Sequence, residues 1–161
     1  MGGAHEQADK NHTPDSFPDL APYNTPADAF EGRYHASCHC GAVRYEAKGE
    51  PELSVCCHCH TCQIVHGATS QRALIYKKDH IKFPKECLDS VAFYQTCGTI
   101  IADEGRNMWM AMPALFRFDD HKEPASWAPK HHIFYKERAL DLEKKEGVTY
   151  WEGAQEKSEK L

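Results

Sequence analysis

The chain has 161 residues, with 24 acidic against 19 basic side chains and a formal charge of -5, a balance that argues against the cationic footprint a nucleic-acid surface needs. No stretch approaches the ~20 apolar residues of a membrane span, and the opening Met1-Gly2-Gly3-Ala4-His5-Glu6 has no apolar run of the secretory kind. A soluble protein in a reduced, cytoplasmic compartment is expected, in which eight cysteines serve as thiols rather than as disulfides.

In chain order, residues 1–32 form an arm rich in Pro, Asp, Asn, Thr and Ala, with Pro14, Pro18, Pro22 and Pro26 recurring and little apolar periodicity. The arm is read as mobile or surface-wrapping, with Phe17, Leu20 and Tyr23 as the side chains able to dock it. Residues 33–153 are one domain, large enough for a core but modest enough that a metal would help. Within it Ala42-Val43-Arg44-Tyr45-Glu46-Ala47 alternates, and Ala73-Leu74-Ile75-Tyr76-Lys77 and Val91-Ala92-Phe93-Tyr94 are short β-branched or aromatic runs. Thr99-Ile100-Ile101, residues 107–112, residues 115–118 and His132-Ile133-Phe134-Tyr135 are further strand candidates. Gly and Pro punctuate them at short spacing, which favours a mainly β assembly of antiparallel sheets over a βαβ fold. Helix is a minority element, its best candidate being residues 136–146. Residues 154–161 read as a charged, solvated tail.

The chemistry is concentrated in three cysteine segments: Cys38-His39-Cys40, Cys57-His58-Cys59-His60-Thr61-Cys62, and Cys97-Gly98. Alternate residues of an extended segment point to one side, so thiolates at i and i+2 converge on one ion more readily than they pair with each other. Sulfur ligation suits zinc, which takes thiolates at about 2.3 Å in tetrahedral geometry. An extended start to the central segment sends Cys57 and Cys59 to one side and Cys56, His58 and His60 to the other, with Cys62 brought back by a turn. Three thiolates leave a tetrahedral position open, the mark of a catalytic site; closure by a nearby histidine or by Cys56 would make the site structural instead. The spacing leaves both readings standing.

Ser37-Cys38-His39-Cys40-Gly41-Ala42-Val43-Arg44-Tyr45, Cys57-His58-Cys59-His60-Thr61-Cys62-Gln63 with His66-Gly67-Ala68, and Cys97-Gly98-Thr99 with Asp103-Glu104-Gly105-Arg106-Asn107-Met108 together resemble the glutathione-dependent formaldehyde-activating enzyme and centromere protein V family, its fungal members in particular. The resemblance runs from about Tyr34 to Gly153. It implies a β-tent fold with two zinc sites: a structural one that takes in Cys38, Cys40 and Cys97, and one linked to activity at Cys57, Cys59 and Cys62. It also implies a carbon-sulfur lyase that reversibly joins glutathione and formaldehyde. The family pattern has a cysteine three positions before Cys97, where this chain has Tyr94, and fungal relatives carry an additional segment there. Cys87, a histidine or water is then the candidate fourth contact of the first site.

Other residues are read beside these. Cys56 is a packing residue or free thiol, and His58 and His60 belong around the metal or at the surface rather than among its ligands. His66 is either a proton shuttle or a solvent-exposed side chain. Asp103-Glu104-Gly105-Arg106-Asn107 is either a binding group for glutathione, with Arg106 making a bidentate carboxylate contact, or a charged turn closed by a local salt bridge. Two other functions stay in view. One is a zinc-stabilised binding module without chemistry, which a covered Cys57/Cys59/Cys62 cluster would favour. The other is a related enzyme acting on a secondary-metabolite intermediate.

Overall fold

The computed structural model describes residues 22–23, 30–87 and 97–161. The expected strand at 91–94, the Tyr94 position, and Phe17 and Leu20 lie outside the described residues. The described strands form two sheets. The smaller has the order β1-β2-β5 and contains β1 (Tyr34–Ser37), β2 (Arg44–Ala47) and β5 (Ile81–Lys82). The larger joins β3 (Leu53–Cys57), β4 (Gln71–Lys77), β6 (Ala102–Glu104), β7 (Met108–Ala111), β8 (His131–Ile133) and β9 (Thr149–Tyr150) in the order β6-β7-β4-β3-β8-β9. The mainly β fold is thus as expected. No helix among the described residues is long and apolar enough to cross a membrane.

Alternation along the strands explains the core. In β4, Leu74 and Tyr76 are fully buried and stand opposite Ala111 and Trp109 of β7. Residues directly opposed in a ladder share a face, so these four make one apolar surface. That surface meets Tyr45 of β2, whose ring approaches Trp109 edge-on at 5.9 Å and Phe116 at 5.8 Å. Phe116 bridges back to Ala36 of β1, tying the two sheets together. Trp127 closes the end of this core. It packs edge-on against Tyr34 at 4.7 Å and Phe116 at 5.0 Å. Its backbone carbonyl accepts from Ser54 Oγ at 2.6 Å, while its indole N–H donates to Glu50 at 3.0 Å.

Several local expectations differ from the structure, each for a tertiary reason. The β3–β8 and β8–β9 ladders are parallel rather than antiparallel. Parallel pairing needs a long connection, and residues 58–130 and 134–148 supply it, where a reading based on short hairpin spacing anticipates only antiparallel neighbours. Thr99-Ile100-Ile101 precedes β6 instead of forming a strand, with Ile101 buried as a single anchor. Leu115 closes a short 3-10 turn, Pro113–Leu115, and residues 116–118 form no strand, their one β-bridge being Phe116 to Ala36. The helical composition of residues 136–146 yields one 3-10 turn, Tyr135–Glu137. Leu140 and Leu142 stay exposed, so no apolar stripe exists to be buried as a helix needs. The Tyr135 hydroxyl instead holds the loop through Leu142 N–H at 3.2 Å.

The ends also make contacts. Tyr23 stacks on Phe83 at 5.8 Å and its hydroxyl donates to Glu104 at 2.7 Å, the docking expected of it. The charged end, expected to be solvated, folds back on β9. Leu161 N–H donates to Tyr150 at 2.8 Å, Glu152 N–H to Glu159 at 2.8 Å, and the Lys160 ammonium lies 5.1 Å from the Trp151 ring centre.

Candidate metal centre

Cys57 ends β3, and the chain stays extended through Cys59 before turning into the one described α-helix, α1 (His60–His66). The expected return of Cys62 is accomplished by this helix rather than by a turn. Cys59 is its N-cap, and its sulfur accepts the Cys62 backbone N–H at 3.4 Å, bringing the two sulfurs to the same end of the helix. Gly67 terminates α1 in the left-handed conformation at φ 57°, with its N–H returned to the Gln63 and Ile64 carbonyls. Gln63 fixes the segment from the other side. Its amide donates to the His58 carbonyl at 2.7 Å and to the Glu137 carbonyl at 2.9 Å.

The sulfurs of Cys57, Cys59 and Cys62 lie within 4.8 Å of one another. All three are free thiols, and Cys59 and Cys62 are partly exposed, so the cluster is not wholly covered. Burial pushes the Cys57 thiol up to about 11 and raises Cys62 as well, the Cys59 side chain adding to both. Three crowded thiols resist ionising together in the absence of a compensating cation. A soft divalent ion bound as thiolates is the partner whose charge reverses that balance, so the donor set fits zinc.

A second thiol group comprises Cys38, Cys40 and Cys97, again within 4.8 Å. The Cys38 and Cys40 sulfurs stand 3.5 Å apart, and Val43 N–H donates to Cys38 at 3.3 Å. Thr99 joins the two segments: its hydroxyl lies 3.2 Å from the Cys97 sulfur and accepts His39 N–H at 3.2 Å. That hydroxyl, with the Cys40 and Thr99 backbone N–H groups, draws the Cys97 thiol down to about 6. Cys87 is buried in the 3-10 turn Lys85–Cys87 and does not join the group. Among the described residues the group therefore has three thiols, and the donor set suits zinc in the same way.

The remaining residues sort differently from the sequence reading. His66 is neither free nor exposed: its side chain is 6% accessible and its Nε2 lies 3.2 Å from Asp103 Oδ2 on β6. Cys62 and His66, four residues apart, share one face of α1. Glu104 pairs with Lys78 at 2.5 Å. Both carboxylates of the β6–β7 turn thus have partners other than Arg106, and Arg106 stands exposed. His60 is exposed, its backbone N–H donating to Glu137 at 2.8 Å.

His58 is turned away from the thiols beside it and is almost fully buried. Its Nε2 lies 2.8 Å from Nδ1 of His132 on β8. Burial holds the His58 imidazole down to about 4, with the charges of His132 and Arg138 contributing, and burial lowers His132 too. The i, i+2 spacing of Cys56 and His58 signals that they share a side. His132, far along the chain, has no local signal that links it to them.

The fold and these groups define a mainly β protein whose free thiols are gathered into clusters able to hold metal ions. The family profile described as glutathione-dependent formaldehyde-activating enzyme matches residues 33–137. With more than half of its length matched, the chain belongs to that family. No curated protein matches it.

Proposed function

We propose that the chain is a zinc-dependent carbon-sulfur lyase acting on glutathione or a related thiol, of the type that forms and cleaves S-hydroxymethylglutathione. The carrying observation is the gathering of Cys57, Cys59 and Cys62 as a partly exposed trio at the β3–α1 junction, in a chain of this enzyme family. Zinc held there supplies Lewis acidity and favours the ionised form of a thiol. The exposure of the trio supports chemistry over a purely structural module.

In the joining direction the substrate thiol gives up its proton and its sulfur attacks the carbonyl carbon of formaldehyde. The C–S bond forms as the C=O π bond breaks, and the oxygen takes up a proton. We assign that proton traffic to His66, whose ring Asp103 holds at 3.2 Å on the helix face shared with Cys62. Asp103 is the positioning residue. Arg106, exposed on the β6–β7 turn, is assigned to a carboxylate of the thiol substrate, the planar guanidinium matching it in bidentate fashion. Cys38, Cys40 and Cys97 hold a second zinc that joins the β1–β2 turn to the segment leading into β6.

The test is turnover of glutathione and formaldehyde by the zinc-loaded protein, with the adduct followed by NMR, alongside titration of glutathione and of an S-adduct. Adduct formation faster than the uncatalysed reaction, lost in Cys59→Ser, supports the reading. Equal turnover and equal binding in the variant overturn it.

A further inference from the structure

We propose that Cys56, His58 and His132 form a separate metal site of zinc type on the opposite side of β3 from the Cys57/Cys59/Cys62 trio. The three side chains each offer a ligand atom within 4.8 Å of the other two, and none belongs to either thiol trio. Strand alternation produces the separation: along 56–59 the even positions face one side and the odd positions the other. His58 continues the strand direction, its backbone N–H donating to Ile133 O at 3.0 Å.

The register explains why the third ligand is His132. Cys56 stands opposite His132 in the β3–β8 ladder and opposite Arg72 in the β3–β4 ladder, while His132 stands opposite Tyr150 of β9. Arg72, Cys56, His132 and Tyr150 therefore form one row across a single face of the larger sheet. All four line a cavity of about 560 Å³. A metal held at Cys56 and His132 would be reached from this cavity, leaving room for water or a small ligand in the fourth position.

Aromatic rings flank both imidazoles. Tyr135 meets His58 edge-on at 5.0 Å and His132 edge-on at 5.9 Å, and Tyr150 lies 4.7 Å from His132. Phe134, at φ 53°, turns the chain so that Tyr135 packs there. Thiolate with two imidazoles is a donor set suited to zinc, with bonds of about 2.3 Å to sulfur and about 2.0–2.1 Å to nitrogen. Tetrahedral bonds of that length separate two ligand nitrogens by roughly 3.3 Å. The two imidazole nitrogens are 2.8 Å apart, so a small parting of the rings exchanges their mutual hydrogen bond for two bonds to the metal.

The test is metal stoichiometry of the full chain, loaded with zinc and dialysed, by native mass spectrometry, with zinc X-ray absorption to read the ligand atoms. Cys56→Ser/His132→Ala is expected to bind one zinc fewer than the parent, and nitrogen scattering is expected to fall. Cys59→Ser is expected to lose a different zinc and to keep the nitrogen scattering. Because the double variant removes packing, circular dichroism checks its fold, and His132→Gln, which keeps a polar side chain, repeats the measurement. Equal zinc content in folded variants, with no imidazole scattering from zinc in the parent, overturns the inference. The result is independent of the lyase reading, which stands or falls on Cys59 and on turnover.

Discussion

The Asp103 carboxylate on β6 lies 3.2 Å from Nε2 of His66 at the last turn of α1, with the His66 side chain 6% accessible. A residue of the cysteine segment and a residue of a hairpin 37 positions further on are thereby made into one unit. A carboxylate that orients an imidazole fixes which nitrogen carries the proton, which is the geometry an acid-base group needs beside a thiol site. Asp103→Asn is expected to lower turnover of the thiol-formaldehyde reaction on the order of tenfold to a hundredfold, and His66→Gln on the order of a hundredfold. Zinc content is expected to stay unchanged in both. Steady-state kinetics with metal analysis checks this; full turnover in His66→Gln removes histidine from the mechanism.

Metal removal is expected to affect the two thiol trios in different ways. A chelator should abolish turnover, and in Cys38→Ser it should have less left to destabilise, because the Cys38/Cys40/Cys97 trio joins the β1–β2 turn to Cys97. Thermal unfolding of the parent and of Cys38→Ser, each with and without chelator, measures the difference. A chelator-induced fall in Tm of the same size in both proteins would show that Cys38 holds no stabilising ion.

Glu50 gives the fold an acid-sensitive point. Its carboxylate accepts from the Tyr34 hydroxyl at 2.5 Å and the Trp127 indole at 3.0 Å, and pairs with Arg33 at 2.9 Å. The Tyr34 bond first, then Trp127 and Arg33, hold its pKa below the usual value, which is about 4.3 for an unperturbed Glu. A folded pKa below the unfolded one contributes stability that is present above the unfolded value and is lost as pH falls through the folded value. The stability gap between the parent and Glu50→Gln is therefore expected to be full at pH 7 and to shrink on acidification below about pH 4. Denaturant midpoints at the two pH values decide it, and a gap that does not change with pH would count against the carboxylate.

Trp127 is fully buried and joins Tyr34, Phe116 and Phe118 to the start of β3. Trp127→Ala is expected to cost about 3–5 kcal/mol, and Trp127→Phe, which keeps a ring but gives up the Glu50 bond, about 1–2 kcal/mol. Urea unfolding gives both values. A loss below about 1 kcal/mol for the alanine variant would mean that the site collapses without a cavity.

The strands with clear alternation were legible before the structure: 42–47 and 73–77 overlap β2 and β4, and residues 107–112 contain β7. The weakest readings fell where chemistry and local preference diverge. Residues 136–146 have helix-forming side chains but no partner surface, and the segment after Cys59 reads as a turn because one cysteine and four polar residues mask a seven-residue helix. The separation of Cys56 and His58 from Cys57 and Cys59 followed from period two alone. That His58 would be buried did not follow, because burial depends on β8.

By itself the sequence carried the mainly β class, the family and the gathering of Cys57, Cys59 and Cys62, through local alternation and short spacing of like ligands, while Cys97 joins Cys38 and Cys40 in the sequence only through the family resemblance. Only the tertiary structure decided what stands across from them. The parallel ladder of β3 with β8 brings His132 to Cys56 and His58, and the β6–β7 hairpin brings Asp103 to His66. The reason is physical: a strand's own period tells which side a residue faces, whereas the residue it meets there is set by long-range strand pairing, which no local pattern encodes.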